Sequence, residues 1–277
     1  MPASSANLGP GFDALGMALT LYAELGVVDG GGGSGVPEGA RLVDGRHPAD
    51  VAFRRGGGEG RLWMRSPIPS GRGLGFSGAM RVGGLVAATA QGCADPWVLD
   101  AWRPAILAMA VGLEGHADNA AASLHGGIVA TAGGRVVPVR PGVDPAVIAW
   151  VPRFETSTQR SRRALGGPVP FADAVFNVGR TALLVAALAA GDVEALREAT
   201  ADRLHQDRRF ADAARSRQAL DDGLEAGAWC GWLSGSGPTV CLLCDPADAD
   251  VVGGALPADG VVKLLRIAAD GATVVAA

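Results

Sequence analysis

The stretch SGRGLGFSGAM, residues 70–80, follows a short alternating segment, RLWMR (61–65), and runs into the apolar sequence AMRVGGLVAATAQ (79–91). Alternation reads as a strand and the apolar run as a buried helix, so the order is strand, glycine loop, helix. Gly73, Gly75 and Gly78 match the G-x-G-x-x-G fingerprint of dinucleotide-binding folds. That fingerprint needs a long buried strand directly before the loop and another after the helix. Here Pro67 and Pro69 intervene, and QGCADPWVLD (91–100) follows. A different use of the same glycines remains: small residues let backbone N–H groups approach phosphate oxygens, and a helix beginning near Ser77 turns its positive end toward them. A triphosphate fits this description. A tight glycine turn packed against another helix is the structural alternative.

Working outward from the loop, a second helical stretch is expected from Trp97 to Leu124, broken at Glu114-Gly-His-Ala-Asp-Asn119. GGIVATAGGRVVPVR (126–140) reads as a β-hairpin over Gly133-Gly134, and AVIAWVP (146–152) as a strand. From Phe171 the chain reads as three helical pieces, separated at Gly191-Asp192 and at QDRR (206–209). Strands are expected again in WCGWLSGSGPTVCLLC (229–244), VVKLLRI (261–267) and ATVVA (272–276). Upstream, the glycine cluster from Gly30 to Gly35 opens a loop-rich insertion reaching about Gly60. Strands and helices that do not alternate regularly indicate an α+β protein, with a boundary at PGVDPA (141–146) dividing it into residues 1–143 and 144–277.

Composition narrows the function classes. With 277 residues, 48% of them hydrophobic and 19% charged, the chain is too apolar for disorder, and no run of about 18 uncharged apolar residues offers a membrane span. The N-terminus has neither a basic nor an apolar leader region, which points to the cytoplasm. A net charge of −4 with scattered arginines argues against nucleic-acid binding. Lys263 is the single lysine, so a G-K-[ST] phosphate loop is excluded. Cys241 and Cys244 lie three apart in a strand and point to opposite faces, so they cannot chelate one ion and read as core residues.

Three segments can carry chemistry. Glu114 to Asn119 packs carboxylate, imidazole and amide groups between apolar stretches, the density expected of a metal or substrate site. His47 and His125 stand without such company, and His205 reads as part of a solvated helix face beside arginines that can bind an anion. In PASSANLGPGFD (2–13), Asn7 and Asp13 can hydrogen-bond an amine or hydroxyl if the loop folds inward; an ordinary loop is the alternative. LSGSGPT (233–239) is either a hairpin turn or a ligand-facing loop.

Taken together and in this order, these segments resemble the GHMP superfamily of small-molecule kinases, and within it the homoserine kinase family. PASSANLGPGFDALGMALTLY resembles the family's opening motif, GRGLGFSGA its nucleotide loop, EGHADN its metal and substrate segment, and LSGSGPTV its C-terminal glycine motif. STQRSRRAL and FNVGRTALLVAAL through DRLHQ are similar too, and the resemblance covers about residues 1–28 and 64–245. It implies a two-part α+β fold, ribosomal-protein-like in the N-terminal half and ferredoxin-like in the C-terminal half. It also implies transfer of the ATP γ-phosphoryl group to the side-chain hydroxyl of L-homoserine, and it is compatible with a homodimer.

Carried onto this chain, the resemblance implies ATP phosphates on Gly73, Leu74, Gly75, Ser77, Gly78 and Ala79, and Mg²⁺ on Ser77 and Glu114. The amino-acid substrate would meet Asn7, Asp13, His116, Thr158, Arg162 and Arg209, with Asn119 where related kinases carry an aspartate base. Three departures stand out: Phe76 replaces the first serine of the usual GLGSS, the short strand expected before the opening motif is missing, and Gly30 to Gly60 does not resemble the family's adenine-contacting region. A kinase for another small hydroxyl substrate and a non-catalytic binding descendant are the competing readings.

Overall fold

The computed structural model describes residues 1–28, 35–93, 99–156, 158–163 and 165–275, without the side chains of residues 158–160. The N-terminal half is built on an antiparallel sheet of β1 (Pro2–Ala6), β2 (Leu15–Tyr22), β6 (Ile128–Ala132) and β7 (Arg135–Val139), in that spatial order. A smaller sheet of β3 (Glu24–Val28), β5 (Arg61–Arg65) and β4 (Arg41–Leu42) stands beside it. Four helices complete this half: α1 (Pro48–Arg55), α2 (Phe76–Gly92), α3 (Leu99–Glu114) and α4 (Asp118–His125).

After β8 (Ala146–Pro152) come α5 (Thr158–Arg163), α6 (Phe171–Ala190), α7 (Val193–Ala199), α8 (Gln206–Phe210) and α9 (Ala214–Glu225). They are followed by β9 (Cys230–Leu233), β10 (Val240–Cys244), α10 (Ala249–Ala255) and β11 (Gly260–Leu265). The sheet order β11-β8-β10-β9, antiparallel throughout, is the split βαβ arrangement of ferredoxin-like folds.

Period-two alternation places this sheet between two layers. Val147, Ala149, Val151, Cys241 and Leu243 face a core shared with the N-terminal half, while Ile148, Trp150, Val240, Leu242 and Cys244 face α9 and α10. Cys241 and Cys244 therefore sit on opposite faces, each a small core residue whose thiol is pushed up to about 11, chiefly by burial. The shared core runs from Ala3 to Leu265, so neither half is closed without the other.

The helix α1 corrects the expectation of a featureless insertion between residues 30 and 60. Its cues are short-range: His47 caps it, Pro48 opens it, Asp50 sits in the first turn and Arg54 and Arg55 in the last. Residues 29–34, at the start of that region, and Trp97, the expected start of the second helical stretch, lie outside the described residues. The helical region after Phe171 has four pieces instead of three: QDRR, expected as a break, is itself the helix α8, set off by residues 200–205 on one side and by a turn at 211–213 on the other. The described part of ATVVA, residues 272–275, forms no strand: the segment after β11 pairs back onto the N-terminal half instead, with Ile267 bridging Leu19, Ala268 N donating to Ala18 O and Ala272 N to Leu124 O.

Candidate active site

One cavity of about 610 Å³ gathers all four motifs, lined by Asn7 and Asp13, by Gly73 and Gly75 to Gly78, by Glu114, His116, Asp118 and Asn119, and by Gly235 and Ser236. Its nucleotide-loop end is the start of α2. Gly75, at φ 67°, caps the helix in the left-handed region, and the first helical bond runs from Ala79 N to Gly75 O at 2.9 Å. The N–H groups of Phe76, Ser77 and Gly78 consequently have no partner within the helix, and they begin a helix whose positive end meets the cavity.

The loop is braced from the other half of the chain. Ser234 Oγ donates to Gly73 O at 2.6 Å, and the Arg72 guanidinium donates to the carbonyls of Pro152 and Arg153. Gly73, at φ 79°, packs so closely that a side chain there would collide with the carbonyl of Ser234. Leu74 and Ala79, expected on the phosphates, do not line the cavity: both side chains are fully buried in the core, where they anchor the loop from below.

Ser77 and Glu114, the expected metal partners, meet: Ser77 Oγ donates to Glu114 Oε2 at 3.1 Å. Arg81, one turn further along α2, donates from NH1 to Ser77 Oγ at 2.9 Å and forms an ion pair with the same Glu114 oxygen. Two hard oxygen ligands with a cationic nitrogen already seated against them form a position that accepts a cation. Burial lowers the Arg81 pKa from its ordinary value, although a guanidinium stays protonated. Beyond Glu114, His116 Nδ1 lies 2.7 Å from Asp118 Oδ1, which also accepts the Asn119 backbone N–H. Asp118 was not singled out in sequence, although it lies inside the motif that was. Its carboxylate, with ligand atoms of Asp13 and His116, falls within a 4.8 Å group.

Next to this group, Asp13 and Arg162 make a two-nitrogen pair, with NH1 donating to Oδ2 at 2.9 Å and NH2 donating to Oδ1. The opening motif folds inward through positive φ angles at Asn7 (71°), Leu8 (49°) and Asp13 (57°). Asn7 holds that shape: its amide donates to Gly235 O at 2.9 Å, and its oxygen accepts the Asp13 N–H at 3.1 Å. Phe12, another residue that sequence reasoning missed, lies between two guanidiniums, with Arg162 and Arg209 each about 5 Å from its ring centre. Arg209 is buried and donates to Gly235 O at 2.8 Å; burial, then the charge of Arg162, lowers its pKa to about 10.

His205 overturns the expectation of a solvated helix face. It is 1% exposed, its Nε2 lies 2.7 Å from Gly9 O, and burial lowers its pKa, so the neutral ring is favoured. Thr158 opens α5, but its side chain lies outside the described set; Thr156, two residues earlier, lines the cavity. Asn119 lines it too, its oxygen engaged by Ser4 Oγ at 2.8 Å, which leaves the amide NH₂ as the group it offers a ligand. His47, read as a histidine without company, instead meets Phe76 edge-on at 5.8 Å between ring centres, and the pair forms part of the cavity wall.

Comparison with known proteins gives the family. Residues 45–127 match the family model described as GHMP kinases N terminal domain, and residues 184–262 match GHMP kinases C terminal. The homoserine kinase of Caldanaerobacter subterraneus subsp. tengcongensis is 38% identical over 269 residues, covering 91% of this chain and 84% of that protein. The homoserine kinase of Streptomyces coelicolor is 38% identical over 290 residues, covering 99% and 93%. The chain belongs to the homoserine kinase family of the GHMP kinases. Its family makes it an ATP-dependent small-molecule kinase. Among solved structures, a putative homoserine kinase from Listeria monocytogenes aligns with a TM-score of 0.76 at 28% identity, covering 98% of this chain and 96% of that one. The homoserine kinase of Cytophaga hutchinsonii shares the fold at a TM-score of 0.82 and 24% identity, covering 98% and 94%.

Proposed function

We propose that this protein transfers the γ-phosphoryl group of ATP to the side-chain hydroxyl of L-homoserine, as a cytoplasmic enzyme. The observation that carries the reading is the Asp13–Arg162 pair placed in the same cavity as the α2 N-terminus. An α-amino acid zwitterion presents an ammonium and a carboxylate side by side, so it can replace that pair. The ammonium meets Asp13, and the carboxylate meets the Arg162 fork, with Arg209 as a second cation. A polyol has neither charge and would leave the pair facing itself.

The triphosphate is held by Gly73, Gly75 and Gly78 and by the free N–H groups at the start of α2. Ser77 and Glu114 would hold Mg²⁺, which supplies charge neutralisation at the β- and γ-phosphates. Phosphoryl transfer asks little covalent chemistry of the protein; alignment and electrostatics provide the rate. The substrate oxygen forms its bond to the γ-phosphorus as the bond to the β–γ bridging oxygen breaks, and the hydroxyl proton passes to a phosphoryl oxygen or to water. Asn119 donates a hydrogen bond through its NH₂ and takes no proton, so it orients where an aspartate would act as base. In this reading residues 1–143 supply the nucleotide and metal groups together with Asn7 and Asp13, and residues 144–277 supply the carboxylate clamp.

A coupled assay of ADP release over hydroxy amino acids and polyols tests the proposal. L-homoserine is expected to turn over fastest. Equal turnover of an alcohol lacking both ammonium and carboxylate would overturn it.

A further inference from the structure

Arg81 belongs to no motif discussed above, and it does not line the cavity. Its guanidinium nevertheless closes a triangle with the two residues that do: NH1 donates to Ser77 Oγ at 2.9 Å and pairs with Glu114 Oε2, while Ser77 Oγ donates to that same oxygen at 3.1 Å. The Ser77 and Arg81 side chains share a helix face, being four residues apart. Glu114 is one-tenth exposed and Arg81 about one-fifth, so neither charge is well solvated.

Arg81 meets Glu114 through NH1, and its Nε is buried without a hydrogen-bond partner. A guanidinium with a donor left unsatisfied is seated but not locked. Two other groups stand nearby: His116, whose Nδ1 engages Asp118 and whose Nε2 lies 3.9 Å from the other Glu114 oxygen, and Asp13, which engages Arg162.

We propose that Arg81 is a resident counter-ion that fills the cation position between Ser77 and Glu114 in the free enzyme, so that a divalent ion binds there only when it arrives with the nucleotide. The inference rests on the reading of Ser77 and Glu114 as the metal ligands. With Arg81 in place, the Glu114 charge is already balanced, and a bare divalent ion finds no unpaired carboxylate between Ser77 and Glu114. The phosphates of ATP add the missing negative charge, and the metal then displaces the guanidinium. Arg81 is thus a positioning residue that couples metal binding to nucleotide binding.

The test measures Mn²⁺ binding to the full chain by electron paramagnetic resonance, with neither ATP nor homoserine present. Arg81→Met and Arg81→Gln should each bind Mn²⁺ at least tenfold more tightly than wild type, while Arg81→Lys, which keeps the charge, should stay within a few fold of it. Adding Glu114→Gln to Arg81→Gln should abolish the gain. Wild-type affinity in the neutral variants would overturn the proposal, and so would tight binding that survives Glu114→Gln. If Arg81→Met fails to fold, Arg81→Gln decides, since its amide can still bond Ser77. Because no substrate is present, the outcome is independent of which alcohol the enzyme phosphorylates.

Discussion

Two arginine–carboxylate pairs stand on either side of His116, and they are built differently. Beside the start of α2, Arg81 reaches Glu114 from outside the cavity wall through NH1, and both side chains are largely buried. At the amino-acid end, Arg162 and Asp13 both line the cavity, each about one-third exposed, and share two hydrogen bonds. The contrast distinguishes two ways of holding a charge in reserve. One pair neutralises a ligand for a metal ion and yields to it. The other has the shape of its ligand, because each partner is the complement of one end of a zwitterion, so binding exchanges one set of ion pairs for another without exposing a bare charge.

The largest effect is expected from breaking the first pair. Glu114→Gln should lower kcat by about 10³-fold, on the scale of removing one preorganised electrostatic group from a transition state. It should also lower the melting temperature, since Arg81 then sits half-buried without its counter-charge. A variant with wild-type kcat across a Mg²⁺ titration would remove Glu114 from the site. Next comes Arg162→Lys, which keeps the charge but loses the fork. The KM for homoserine should rise about 10²-fold, the cost of truncating one partner of a desolvated charge pair, while the KM for ATP stays within about twofold. An unchanged homoserine KM would mean that the second pair is structural and the contrast between the two pairs is lost.

The smallest effect concerns the floor beneath the amino-acid end. His205 is held neutral by burial, while in the unfolded chain it takes up a proton near pH 6.5. The unfolded state therefore binds more protons than the folded one as pH falls below about 6.5, and stability drops until the folded histidine also titrates. His205→Gln removes that slope but also the contact with Gly9 O. The variant should melt below wild type at pH 7, and the gap should narrow between pH 7 and pH 5. A gap of constant width would show that His205 does not carry the difference.

What could be read in sequence was what is local. The glycine loop, the hairpin over Gly133-Gly134 and the alternation in TVCLLC each announce themselves within a few residues, and the structure forms all three as expected. The site was legible as a set of motifs, because each contributes polar groups in one short segment. What was missed depends on distant partners. His205 has solvated-looking neighbours in DRLHQDRR, and only its meeting with Gly9, 196 residues earlier, buries it. Arg81 sits in an apolar helix as one charged residue among alanines and glycines; its meaning comes from Glu114, which lies on another helix. Phe12 carries no signal of its own in the sequence; its place is set by two arginines that meet its ring from the C-terminal half. The helix α1 is the exception, since its caps were present in HPADVAFRR and were overlooked beside the glycine cluster.

The return of the chain's final segment to its first half sets an order of assembly. Gly127 N donates to Ala268 O, Ala272 N donates to Leu124 O, and the Arg103 guanidinium donates to the carbonyls of Leu124 and Ala272. These bonds clasp the far end of α4, the helix whose opening residues are Asp118 and Asn119. On the ribosome, every residue of the cavity has been synthesised by Ser236, yet the helix presenting two of them stays unfastened until residue 272 has cleared the exit tunnel. A chain stopped at Leu265 would carry the complete set of site residues and lack the latch that holds them in register.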